Sequence, residues 1–173
     1  MGRENNSIMR LRPYKKSDEK YLLKWFDDER KFYMWSAGIY KYPLDDEQLS
    51  KHRQSFEDDE NAWIFMMLDD DGAPVGHAAV KNVDYKANSA HIGFIVVDPE
   101  QRGKGYGKEL VNLVTKYAFD ILNVNRVTLN VFEVNPGAKK CYESVGFEVE
   151  ARKNAMLKYN DEEWDAYFMV KNK

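Results

Sequence analysis

At 173 residues the chain is long enough for one domain with a sizeable core and too short for two ordinary ones, so a single domain spanning 1–173 is expected. Hydrophobic residues make up 43% of it, yet no apolar run approaches the ~20 residues that span a bilayer, which argues against a membrane helix. The net charge of −3 offers no basic surface for nucleic acid, and the lone Cys141 can neither close an internal disulfide nor anchor a cysteine-rich metal site, so no metal is expected.

The start, Met1 to Ser7, has no apolar signal core, and Asn6 stands where a myristoylation signal wants Ser or Thr. The expected location is the cytoplasm. Ile8 to Arg12, halted by Pro13, predicts a short strand. Ser17 then suits a helix N-cap, with Asp18 and Glu19 at the positive end of the dipole and Tyr21, Leu22, Trp25 and Phe26 on one face. Lys31 to Pro43 is dense in aromatics without a clean period and predicts a folded loop with short helical turns. Asp45 with Gln48 forms a capping pair that opens a helix to about Glu57. Between positions 45 and 60 the acids outnumber the bases, which fits either a solvated helix face or a funnel that draws in a cationic amine past aromatic walls.

From Trp63 the pattern turns to strands. Trp63–Leu68, Val75–Val83 and a third run ending at Val97 predict an antiparallel meander, with turns at Asp71–Gly72 and Lys86–Ser89. His77 and His91 fall on these strands, where a core or surface role is commoner than catalysis. Leu110, Val111, Val114, Tyr117, Ala118 and Ile121 recur at helical spacing, and Arg126–Phe132 reads as another strand. Asn135-Pro136-Gly137-Ala138 caps a helix carrying Cys141, Tyr142 and Val145 that Gly146 closes. Phe147–Tyr159 and Trp164–Val170 complete the pattern as two strands.

Between the third strand of the meander and its following helix lies Asp98-Pro99-Glu100-Gln101-Arg102-Gly103-Lys104-Gly105-Tyr106-Gly107-Lys108. A strand, a glycine turn and a helix make an anion site, because the first turn of a helix leaves N–H groups unpartnered and glycine lets a ligand approach the backbone. A P-loop is excluded, since Gly107-Lys108 is followed by Glu109 and no hydroxyl stands ready for Mg²⁺. The dinucleotide fingerprint fails as well, because neither Gly103/Gly105 nor Gly105/Gly107 is followed by its third glycine.

The remaining pattern, Arg102-x-x-Gly105-x-Gly107, resembles the pyrophosphate loop of the GNAT superfamily of N-acetyltransferases. A second stretch, Val131 to Phe147, with Asn135-x-x-Ala138, Tyr142 seven residues after Asn135 and Gly146-Phe147, is similar to the other half of that family's acyl-CoA site. The two motifs lie about 28 residues apart, and Ile8 to Pro13 onward is similar to the ribosomal-protein N-terminal acetyltransferase branch. The resemblance implies an α/β (α+β) GNAT-type domain with a mixed, mostly antiparallel sheet of six to seven strands flanked by helices. It implies acetyl-CoA as co-substrate, a small-molecule amine or a protein N-terminus as acceptor, and a possible homodimer. Carried over residue by residue, backbone groups of Ile95, Val96 and Val97 would pair with the pantetheine arm. Amides of Gly103, Lys104, Gly105, Tyr106, Gly107 and Lys108 would meet the pyrophosphate, and Asn135 would bond the pantetheine region or serve as a plain cap. Tyr142 would protonate the departing thiolate, its phenol having a reference pKa of ~10. The base that takes the amine proton stays open between His91, Glu133 and water, and a non-catalytic acyl-CoA sensor is the alternative function.

Overall fold

The computed structural model describes residues 8–173, so the reading of Met1 to Ser7 lies outside the described residues. Seven strands form one sheet: β1 Arg10–Pro13, β2 Trp63–Leu68, β3 Pro74–Asp84, β4 Ser89–Val97, β5 Arg126–Phe132, β6 Glu148–Tyr159 and β7 Glu162–Asn172. Their spatial order is β1-β2-β3-β4-β5-β7-β6, and every pairing is antiparallel except β4 with β5. The helices are α1 Glu19–Trp25, α2 Glu29–Ser36, α3 Asp46–Glu57, α4 Tyr106–Lys116 and α5 Pro136–Ser144. This is the mixed, mostly antiparallel sheet with flanking helices that the resemblance implies.

Helices cover both faces of the sheet, and strand alternation divides the core between two layers. On β2, Phe65 and Met67 meet the layer of α4, built on Leu110, Val111, Val114 and Ala118. Ile64 and Met66 turn the other way, toward Leu22, Phe32, Trp35 and Leu49 of α1 to α3. On β3, Ala78 and Val80 join the first layer and Ala79 the second. Burial on both sides explains why these strands read as unbroken apolar runs.

Three local predictions need correction. Ser17 does not cap a helix: Lys16–Asp18 is a single 3₁₀ turn, and the Asp18 carboxylate is drawn to the Arg12 guanidinium at 2.6 and 2.7 Å and to the Lys15 amide at 2.8 Å. The first part of the aromatic stretch, through Ser36, belongs to α2, capped by Asp28, whose carboxylate accepts from the Lys31 amide at 2.9 Å, while residues 37–43, with Tyr40 and Tyr42, form the expected loop. Its period is blurred because Phe32 and Trp35 enter one core cluster while Tyr33 and Met34 also pack on another around Phe132 and Trp164. Ile121, counted on the apolar face of α4, is 68% exposed, because the helix widens into a π turn over Tyr117–Ile121 and turns it outward.

Candidate active site

The register of the sheet creates an opening at its centre. β4 and β5 pair only through Ser89↔Arg126, Ala90↔Val127 and His91↔Thr128, and beyond His91 they separate. β4 stays bound to β3, but two of its residues, Phe94 and Ile95, stand opposite the single Ala78, and Phe94 takes a φ of +49°. This bulge bends β4 away from β5. Ile95, Val96 and Val97 therefore present one backbone edge to a cleft of about 860 Å³, within the range of small-molecule sites.

The floor of the cleft comes from α5. Asn135 caps that helix, its Oδ1 accepting from the Ala138 amide at 3.3 Å, and it lines the cleft at the same time. Tyr142, nearly two turns later, also lines it and is 8% exposed. Burial pushes its phenol well above the ordinary tyrosine value, so the hydroxyl keeps its proton at neutral pH.

At one end the cleft runs into a second hollow of about 440 Å³ at the start of α4, the two sharing Val97, Arg102 and Gly137. Gly103 and Gly105 have φ near +77° and +78°, and Gly105 caps α4 with no side-chain hydrogen bond, which leaves the first amides of the helix open to a ligand. Gly103, Gly105, Tyr106, Gly107 and Lys108 all line this hollow. Lys104 does not: its ammonium is held by the Gln101 side chain at 2.7 Å. An uncapped helix entrance joined to an unpaired strand edge fits an extended ligand that ends in phosphates. Cys141 borders the hollow rather than the core and is only half-buried, and burial raises its thiol pKa, so it stays protonated.

At the other end stand Trp25, Phe26, Asp27 and Asp28 at the turn between α1 and α2, Trp35 of α2, Lys81 of β3 and His91 of β4. His91 Nδ1 lies 2.8 Å from Thr128 Oγ1, and its pKa falls to about 4 through burial and the nearby charges of Lys81 and Lys153. It is neutral at pH 7 and a weak base. Glu133 does not border the cleft, and its carboxylate is bound by Arg152 at 2.8 Å. His77 lies at 0% exposure within the α1–α3 layer, its Nε2 3.2 Å from that of the equally buried His52, so its role is in the core. The acids from Asp45 to Glu60 do not line the cleft: Asp45 caps α3, Glu47 pairs with Lys51 and Glu57 with Arg53. Pairing and capping favour the solvated-face reading of these acids. Sequence reasoning missed Lys81, although a lone lysine closing the apolar run Val75 to Val80 was a visible signal.

Comparison with known proteins agrees with this fold. Residues 15–147 match the acetyltransferase (GNAT) family. The chain is 28% identical over 146 residues to a spermidine N(1)-acetyltransferase of Vibrio cholerae, covering 84% of this chain and 82% of that one. It is 31% identical over 105 residues to an L-amino acid N-acetyltransferase of Escherichia coli, covering 60% and 64%. The crystal structure of a Vibrio cholerae spermidine N-acetyltransferase with CoA and spermine superposes with a TM-score of 0.84 at 23% identity, over 95% of each chain. None of these relatives is a ribosomal-protein acetyltransferase, so that narrower resemblance gives way. The superfamily reading holds: the chain belongs to the GNAT acetyltransferase family and is an acetyl-CoA-dependent N-acetyltransferase.

Proposed function

We propose that the acceptor is a primary amine of a small molecule and that the acetyl group passes to it directly, without an acetylated enzyme. The observation that carries this reading is the cleft opened between β4 and β5, which runs from the glycine turn to an end walled by Trp25, Phe26 and Trp35. Bound acetyl-CoA supplies the thioester carbonyl. Amides of Gly103, Gly105, Tyr106, Gly107 and Lys108 hold the pyrophosphate, while the edge of β4 at Ile95–Val97 and Asn135 orient the pantetheine arm. Tyr142 gives its proton to the departing sulfur, and its raised pKa keeps that proton available.

On the acceptor side, the weak basicity of His91 and the engagement of Glu133 by Arg152 favour water as the acceptor of the amine proton. The protonated Cys141 thiol supports direct transfer over an acetyl-thiol route. Dependence on acetyl-CoA supports a cytoplasmic location, and the edge position of β6 supports pairing of two copies, which light scattering would read directly.

The deciding experiment is thiol release from acetyl-CoA with polyamines, aminoglycosides, amino acids and N-terminal peptides as acceptors. Turnover confined to peptides overturns the small-molecule reading. Saturable CoA binding without thiol release against any amine makes the protein a sensor.

A further inference from the structure

Among the basic side chains bordering the cleft, Lys81 stands in an unusual state. Of the lysines and arginines that line the cleft, Arg30 pairs with Glu162 and Lys31 and Arg102 are exposed to solvent, whereas Lys81 is partly buried and, among the described residues, makes no ion pair. Its side chain lies across β4, with Nζ 4.9 Å from the centre of the Phe94 ring and Cε 3.6 Å from the place a Cβ on Gly93 would take. The bulge that opens the cleft therefore also seats this ammonium at the cleft wall. Burial lowers its pKa, with no carboxylate acting in the opposite direction.

An ammonium taken from water without an anionic partner is unfavourable, and the face of one phenylalanine offsets only part of that cost. Neither cleft carboxylate relieves it. Asp28 is engaged as the cap of α2, and Asp27 stands beside it at the α1–α2 turn, with neither paired to Lys81. Positive charge bears on the β3–β4 wall, since Lys81 acts on His52 and His91 and Lys153 acts on His91, while Asp27 and Asp28 belong to the α1–α2 turn. A polyamine would bring more positive charge toward Lys81. An acceptor carrying an anion would complete it, and the same positive charge lowers the pKa of a nearby amine, favouring the neutral nucleophile.

We propose that Lys81 selects the acceptor, holding the carboxylate of an amino acid rather than accommodating a polyamine. The assignment rests on the small-molecule acetyltransferase reading given above.

The test uses the full chain and matched acceptors: a panel of amino acids, the amide of each, and spermidine. A charge-assisted bond at a partly buried site corresponds to roughly a 10- to 100-fold preference in kcat/KM for the acid over its amide. Lys81→Gln should collapse that ratio toward one, and Lys81→Arg should keep most of it. Calorimetry of each acceptor against the CoA-loaded protein reads the same preference without turnover. Wild-type turnover of spermidine or the amides matching that of the acids overturns the proposal, as does a Lys81→Gln variant that loses all amines equally. In those cases thiol release still upholds the acetyl-transfer reading. Charge-selective binding without thiol release does the reverse, upholding Lys81 and overturning the transferase reading.

Discussion

Two glycines of the turn before α4 separate folding stability from donor binding, because their substitution by alanine acts in opposite directions. At Gly107 the backbone is ordinary, and an added Cβ meets Cys141 Sγ at 3.8 Å and Val97 Cγ2 at 4.0 Å, both normal contacts. Gly107→Ala therefore stabilises the fold by ~0.4–1 kcal/mol through the unfolded chain, a rise of about 1–4 °C in Tm for a domain of this size. The methyl enters the hollow where the phosphates approach, so acetyl-CoA affinity falls by roughly 10- to 100-fold, the equivalent of one hydrogen bond to a charged group. At Gly105 a Cβ meets nothing within 4 Å, so the whole penalty of Gly105→Ala comes from holding an L-residue at a φ of +78°, about 1–2 kcal/mol. Tm then drops by roughly 2–8 °C. Thermal melts with and without CoA, together with calorimetric titration, read both effects. A Gly107→Ala protein that melts higher and binds acetyl-CoA like wild type would refute the placing of the phosphates against this turn.

Three further outcomes follow from burial and pairing. Tyr142→Phe keeps the ring contact with Phe147 but removes the proton donor, so kcat falls about 100-fold while acetyl-CoA affinity is retained; single-turnover kinetics separate the two. Because the folded-state pKa of this phenol is raised, its contribution to stability is complete below pH ~10 and declines as pH rises above that value, which alkaline melts detect. Asp18→Ala strands the Arg12 guanidinium and removes a pair whose carboxylate is 1% exposed; it should cost about 3 kcal/mol in urea unfolding, at the low end for a buried pair because Arg12 is partly exposed. His52 and His91 have folded-state pKa values of about 4, below the ~6.5 of the unfolded chain, so their stabilisation is complete above ~6.5 and is lost as pH falls toward 4. Each contributes a slope of up to ~1.4 kcal/mol per pH unit in that window, and a flat urea series between pH 7 and 4.5 would show that both imidazoles charge in the native state.

The parts of this site that were legible in the sequence are those set by local chemistry. Glycines at 103, 105 and 107 announce a turn whose backbone a ligand can approach, and all three line the hollow at the start of α4. Asn135 followed by Pro136 announces a helix start, and the seven-residue step to Tyr142 puts both residues on the side of α5 that lines the cleft. What was hidden depends on register and tertiary contact. No local pattern shows that β4 and β5 part company after His91, or that Phe94 occupies a bulge, because each is a property of two strands together. α2 was hidden for a related reason: a short helix whose side chains serve two core clusters loses the single apolar stripe by which helices are recognised. The opposite misreading befell the acids from Asp45 to Glu60, where density of charge suggested a site, whereas pairing along α3 and capping account for several of them.

The parting of β4 and β5 needs mechanical support, since the backbone groups it leaves open are matched by strand pairing elsewhere in the interior of the sheet. Support comes from beneath Phe94. His52 of α3 and His77 of β3 bond to each other through their Nε2 atoms, and the Tyr40 hydroxyl meets His52 Nδ1 at 2.7 Å. The ring of His52 lies 4.8 Å from Phe94, and that of Trp35 lies 5.2 Å from it. Because burial keeps both imidazoles neutral, each offers one donor and one acceptor, so the bond between them is directional in a way that hydrocarbon packing is not. A sliding of α3 along β3 would break it and leave buried polar nitrogens unpaired. The bulge thus rests on an aromatic and imidazole foundation with one preferred seating, and the same residue, Phe94, connects that foundation to the strand edge at Ile95–Val97 and to the ammonium of Lys81, both of which line the cleft.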